Sequence, residues 1–249
     1  MQTPATNGMP QRVALFATCM ADIAAPGPAA AAVELLEACG VEVAVPRAQT
    51  CCGQPALSSG FPAEATQVAR HWLAVFADHE AVVTPSGSCA AMVAHHFPRL
   101  LDGAEQEAAR GAAARTYELS QFLAAFGAGL DLRLEATVTY HDSCHMLRSL
   151  GEAHSPRTVL GRVAGLELRE MADPDLCCGF GGTFATKLPE VSVAMADAKL
   201  AQAEATGVHY LVSADAGCLL HLRTRAAAAG PAVRTRHLAE LLRDALVSG

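Results

Sequence analysis

The chain has 249 residues, 51% hydrophobic and 17% charged, with a formal net charge of −7. That supplies material for a sizeable core and excludes disorder as a class. With Lys187 and Lys199 as the only lysines and no basic run, a nucleic-acid surface is excluded too. Nine cysteines, twice as an adjacent pair, are the feature of composition that requires an account.

In chain order, MQTPATNGMPQR lacks the basic patch and apolar stretch of a secretory leader. RVALFAT (12–18) is a strand-like run ending at Cys19. A helix is predicted over 28–39, closed by Cys39 in LLEACG, where the thiol reads as a small core residue. VEVAVP (41–46) precedes Cys51-Cys52-Gly53, a helix follows over 63–79, and AVVTPSGSC (81–89) ends in a small-residue turn at Cys89. Ala81 to Pro98 is the longest stretch without a formal charge, yet Pro85, Ser86, Gly87, Ser88, His95 and His96 exclude a membrane span. His95 and His96 read as dipole partners closing a helix over 89–97. Residues 101–126 read as a helical connector and 127–135 as a loop.

The second half follows the same plan. ATVTYHDS (136–143) leads to Cys144, a helix is predicted over 155–163, and LELRE (166–170) precedes Cys177-Cys178-Gly179. A helix over 189–206, the run HYLVSADAGC (209–218) ending at Cys218, and a helix over 218–229 complete it. Arg234, Arg236 and His237 suit either a docking face or a solvated terminus. Apart from Cys39, the cysteines form two sets: Cys19, Cys51, Cys52, Cys89 and Cys144, Cys177, Cys178, Cys218. The first gap is 32 positions in one set and 33 in the other, and the second gap is 37 and 40. Internal duplication explains this most economically. The fold expected is α/β, with two pseudo-symmetric repeats over 1–126 and 127–249. Each is a mostly parallel sheet flanked by helices, with the cysteines at the carboxyl ends of strands, the edge where open α/β folds bind ligands.

Without a leader or a span the protein is expected in the reducing cytoplasm, where cysteines serve as ligands or catalysts more often than as disulfides. Adjacent Cα atoms lie about 3.8 Å apart, below the usual disulfide range of about 4.4–6.8 Å. Structural zinc usually takes C-x₂-C knuckles, which neither half has. An iron–sulfur cluster offers several irons in different directions, so neighbouring cysteines with diverging side chains can each find one. The glycine after each pair permits φ > 0 and lets amides approach sulfur.

Two copies of C…CCG…C in α/β halves resemble the cysteine-rich CCG domain found in heterodisulfide reductase and in the glycolate oxidase iron–sulfur subunit. The strings AQTCCGQPALSSG (48–60), VVTPSGSCAAMV (82–93), YHDSCHMLRSLG (140–151), CCGFGGTFATKLPE (177–190) and RTRHLAELL (234–242) resemble, more narrowly, the lactate utilization protein A family, over about residues 12–242. The resemblance implies one or two [4Fe–4S] clusters on the eight repeat cysteines. It also implies a system converting L-lactate to pyruvate with a ferredoxin-type iron–sulfur subunit and a third subunit. The heterodisulfide reductase pattern has a fifth cysteine per repeat; Ser86 and Asp215 stand at those positions here, suiting turn formation or, less simply, an oxygen ligand. The missing fifth cysteines weigh against a thiol–disulfide reductase, which stays an alternative, as does a zinc-stabilised interaction subunit.

His141 and His145 flank Cys144. They suit proton exchange with a hydroxy acid or a hydrogen bond tuning a cluster, or, with Asp142 and Ser143, a cap on the following helix. Lys187 suits a counter-charge to a cluster, a carboxylate contact or a solvated surface. Gly179, Gly181 and Gly182 lack dinucleotide spacing. With no dinucleotide fingerprint, the simplest role is electron transfer from lactate to companion clusters. The bolder one is direct binding of the hydroxy-acid carboxylate at an incompletely ligated iron.

Overall fold

A computed structural model describes residues 8–230 and 233–247; residues 1–7 of the opening segment lie outside them. In the first half β1 (Arg12–Leu15), β2 (Glu42–Ala44), β3 (Ala81–Thr84) and β4 (Thr116–Glu118) form a sheet in the order β2-β1-β3-β4, every pairing parallel. The helices of this half are α1 (Cys19–Ile23), α2 (Gly27–Ala38), α3 (Gln54–Ser58), α4 (Pro62–Val75), α5 (Gly87–Ala91), α6 (Phe97–Leu100), α7 (Gly103–Ala114) and α8 (Leu119–Phe126). In the second half β5 (Arg133–Tyr140), β6 (Ala164–Leu168), β7 (Tyr210–Ser213) and β8 (Arg234–His237) pair in parallel in the order β6-β5-β7-β8. Its helices are α9 (His154–Leu160), α10 (Thr183–Lys187), α11 (Pro189–Ala205), α12 (Ala216–Ala229) and α13 (Leu238–Ala245). Single π-helical turns, Met92–His96 and His145–Ser149, follow Cys89 and Cys144.

Local chemistry explains these boundaries. β3 (AVVT) is buried along its whole length, as a central strand of a parallel sheet requires. Proline in the first turn opens α2, α4 and α11, where its missing N–H costs nothing. α8 opens with a capping box: the Glu118 carboxyl group accepts from Ser120 N–H, and Gln121 Oε1 accepts from Glu118 N–H.

Three expectations are corrected. The connector read over 101–126 contains β4, and the loop read over 127–135 already enters β5 at Arg133. Arg234, Arg236 and His237 are not a solvated terminus: they form β8, the edge strand of the second sheet. Arg234 lies over the Tyr210 ring at 4.7 Å, Arg236 pairs with Asp244, and His237 is buried. β4 is only three residues long and acquires its conformation from register with β3, Thr84 facing Glu118. No local alternation announces it. The charges at Arg133 and Glu135 hid the first turn of β5.

The two sheets share one core. Leu35 and Leu36 of α2 pack with Leu241 and Leu242 of α13, while Phe122 and Leu123 of α8 pack with Val159 and Leu160 of α9. Each half thus sends its last helix across to the other. Arg162 of the second half donates to the Leu123 (2.8 Å) and Ala124 (2.7 Å) carbonyls of α8. Leu36→Ala and Leu242→Ala should each lower stability by about 2–5 kcal/mol. In urea unfolding of the full chain both should move the same single transition. Two transitions, one moved by each variant, would refute the shared core.

Candidate metal centre

In the order β2-β1-β3-β4 the chain leaves β1 and β3 in opposite directions, which opens a crevice beyond their carboxyl ends. Cys19 opens α1 just past β1, Cys89 lies in α5 just past β3, and Cys51 and Cys52 sit on the connection from β2. The second sheet repeats the arrangement with Cys144 past β5, Cys218 in α12 past β7, and Cys177 and Cys178 on the connection from β6. One cavity of about 220 Å³ is lined by every repeat cysteine except Cys51. Cys39 lies apart, half-buried against the shared core, its thiol pushed up to about 11 by burial. All nine cysteines are free.

Within each set the thiols form a string. Cys51 is in hydrogen-bond contact with Cys19 and Cys52, and Cys52 with Cys89. Cys177 touches Cys144 and Cys178, and Cys178 touches Cys218. The middle thiols Cys51 and Cys177 are pulled well below the ordinary thiol value by these contacts, first those from Cys19 and Cys144. Sharing a proton with them, and burial, pushes Cys19, Cys52, Cys144 and Cys178 upward. Gly53 (φ 84°) and Gly179 (φ 86°) bend back so that their amides donate to Cys51 Sγ and Cys177 Sγ, each at 3.4 Å. A Cβ at position 179 would lie 2.5 Å from the Ser192 carbonyl oxygen. Just before Cys19, Thr18 holds φ 74°, a strained value for a β-branched residue.

The four sulfurs of neither set are drawn together as they would be around one bound ion. Four sulfurs around one zinc, at about 2.3 Å each, would lie within about 3.8 Å of one another. Among the described residues, the one trio of donor atoms lying mutually within 4.8 Å is His141, Cys178 and Cys218.

A buried polar clasp ties the sets together. Asp215 accepts from Ser88 Oγ (2.7 Å), Ser88 N (3.1 Å) and Ser86 Oγ (3.2 Å) of the first half, and from Ser143 Oγ of the second. Ser86 Oγ also accepts from Cys89 N at 3.3 Å, capping α5. The two positions where a fifth cysteine is absent therefore bond to each other across the halves. Gln54, directly after Cys51-Cys52-Gly53, meets His145 Nε2 across the cavity. With the Gln54 amide donating, His145 Nδ1 carries the proton and faces Cys144 Sγ at 3.6 Å.

His141 is fully buried beside the Cys218 thiol, and apart from that thiol its ring nitrogens have no hydrogen-bond partner among the described residues. An unpaired buried polar group costs about 1–3 kcal/mol. The Cys218 thiol beside it is lowered to about 7, chiefly by the hydrogen bond from Cys178, with burial opposing and His141 adding to the effect. Ser143 accepts from Met146 N at 3.3 Å, as a cap would, whereas Asp142 forms a bidentate pair with Arg157 (2.9 and 2.8 Å). Lys187 is exposed at the end of α10 and does not line the cavity. The lysine that touches the site's framework is Lys199, fully buried and lowered to about 8 by burial. It donates to the Asp173 (2.7 Å) and Pro174 (3.2 Å) carbonyls in the loop that delivers Cys177. Neither Gln54 nor Lys199 is among the site residues expected from the sequence. Aligning the repeats exposes Gln54, because its counterpart is Phe180; nothing local marks Lys199.

Burial raises the Glu118 carboxyl to about 8, so between pH 4.5 and 8 the folded state holds a proton that the unfolded state has lost. The stability this contributes is complete below pH 4.5 and disappears as pH rises to 8. Glu118→Gln should flatten that decline in urea melts across the window; an unchanged slope would refute the assignment. Gly179→Ala should cost about 1–3 kcal/mol from the backbone alone, with a lower thermal midpoint. A neutral substitution would contradict the left-handed turn.

The CCG cysteine-rich domain family matches residues 13–94 and 138–223. The lactate utilization protein A of Halalkalibacterium halodurans is 46% identical over 235 residues, covering 93% of this chain and 96% of that protein. The namesake in Geobacillus kaustophilus is 45% identical, covering 93% and 98%. Among solved structures, a hypothetical protein from Helicobacter pylori superposes with a TM-score of 0.65 at 11% identity, over 97% of this chain and 50% of that one. This chain spans half of that protein, and the likeness is one of fold alone. With both halves matched and relatives of such identity aligned over nearly their whole length, the chain belongs to the lactate utilization protein A family, built on two CCG cysteine-rich domains.

Proposed function

We propose that the chain is the iron–sulfur subunit of a cytoplasmic L-lactate oxidation system, passing electrons from the hydroxy acid to a ferredoxin-type companion, with a third subunit completing the assembly. The observation that carries this reading is the convergence of seven of the eight repeat thiols, drawn from both strings, on one cavity. Cys19, Cys51, Cys52 and Cys89 would hold one [4Fe–4S] cluster, and Cys144, Cys177, Cys178 and Cys218 a second. Extended strings of thiols suit a group with several metal atoms better than a lone zinc.

When bound, such a cluster supplies a site that accepts and releases single electrons. The protein's own groups do the rest. The Gly53 and Gly179 amides stabilise negative charge on sulfur. Asp215, with Ser86, Ser88 and Ser143, keeps the two sets at a constant separation. Gln54 and His145 give the cavity wall a polar edge suited to a small hydroxy acid, whose conversion to the keto acid releases two electrons and two protons. The name carried by the relatives, lactate utilization protein A, supports that substrate.

Anaerobic reconstitution followed by iron and sulfide analysis tests the assignment. Cys52→Ser and Cys178→Ser should each remove about half of the iron and sulfide. Loss of everything from either variant would show one shared cluster. About one zinc per repeat without sulfide would overturn the iron–sulfur reading.

A further inference from the structure

Corresponding residues of the two repeats differ in chemistry where they face the thiols. Aligned on Cys19 and Cys144, Phe16 corresponds to His141 and Met20 to His145. The structure supports the pairing: Phe16 N donates to the Val83 carbonyl and His141 N to the Val212 carbonyl, both at 2.8 Å. Phe16 packs edge-on against Trp72 and Phe76, so the first set rests on an aromatic cluster that also contains Cys52 and Cys89. At the second set this wall is replaced by a buried imidazole close to Cys178 and Cys218, with no partner among the described residues other than the thiols. His145 Nδ1 faces Cys144. The first set has methionine at that corresponding position.

We propose that His141 is a hydrogen-bond donor to the sulfur ligands of the second set and holds the reduction potential of that centre above the potential of the first. This rests on the iron–sulfur reading above. A donor aimed at sulfur stabilises the more negative, reduced cluster and raises its potential. A phenylalanine ring at the same place gives no such help. An electron delivered to either set therefore comes to rest on the second, the half in which His145 also faces the cavity. His141 acts through the ligands and is a positioning residue.

The experiment is a redox titration of the reconstituted full-length protein followed by electron paramagnetic resonance. The wild type should show two potentials. His141→Phe, which copies the first repeat, should shift the higher one to more negative values and leave the lower one in place. His141→Asn, which keeps an N–H, should shift it less. Should the variants fail to fold, ¹⁵N-histidine labelling of the wild type and of His145→Met gives an independent readout: a weak nitrogen coupling on one of the two cluster signals that persists when His145 is replaced. Two clusters with no nitrogen coupling, or with potentials unmoved by His141→Phe, would overturn the proposal. A strong coupling of a directly bound imidazole would overturn it as well, by making His141 a ligand. Absence of iron and sulfide in the wild type would instead defeat the iron–sulfur reading, so the two failures are distinguishable.

Discussion

Asp215 is a carboxylate buried to 4% exposure that accepts hydrogen bonds from Ser86 and Ser88 of one repeat and Ser143 of its own. A buried charge without donors would be costly, so the carboxylate and the three serines stabilise one arrangement of the two crevices. Much of the site's geometry depends on that arrangement. Ser86 caps the helix carrying Cys89, Ser143 immediately precedes Cys144, and Asp215 lies three residues before Cys218. Three of the eight ligand candidates are therefore positioned by one polar cluster, while the glycine turns govern the Cys51-Cys52 and Cys177-Cys178 pairs. The exchange of α8 and α13 between halves provides the rigid support beneath, since neither sheet can shift without moving the helix packed on the other.

Duplication of a thiol-bearing unit produces two similar sites, and divergence afterwards can separate their chemistry. The first set has an aromatic floor of Phe16, Trp72 and Phe76. The second has imidazoles, the Asp142–Arg157 pair that anchors its first loop, and Lys199 holding its second. The second half thus carries more buried polar machinery than the first.

Much of the site was legible in the residues because cysteine is rare and its chemistry is narrow. Spacing alone separated Cys39 from the other eight, and its place at the end of α2, away from the cavity, agrees with the core role read for it. The glycine after each cysteine pair was also readable, because a positive φ there has few other uses. Lys187 attracted notice through rarity and proximity in sequence, yet it is exposed, while Lys199, equally rare, is the buried one. Distance along the chain was a poor guide because α11 brings residue 199 back to the loop around 173.

The amino-acid sequence by itself determined the duplication, the α/β class, the two sets of thiols and the turns that present them, all properties of local pattern and spacing. Tertiary structure alone decided that β4 and β8 exist, because three- and four-residue strands take their conformation from the neighbour they pair with. It also decided that the terminal helices are exchanged, that Ser86 and Asp215 bond across 129 positions, and that His141 is enclosed beside Cys178 and Cys218. The physical reason is common to all four. Each depends on a partner supplied by a distant segment, and no local preference encodes which partner that will be.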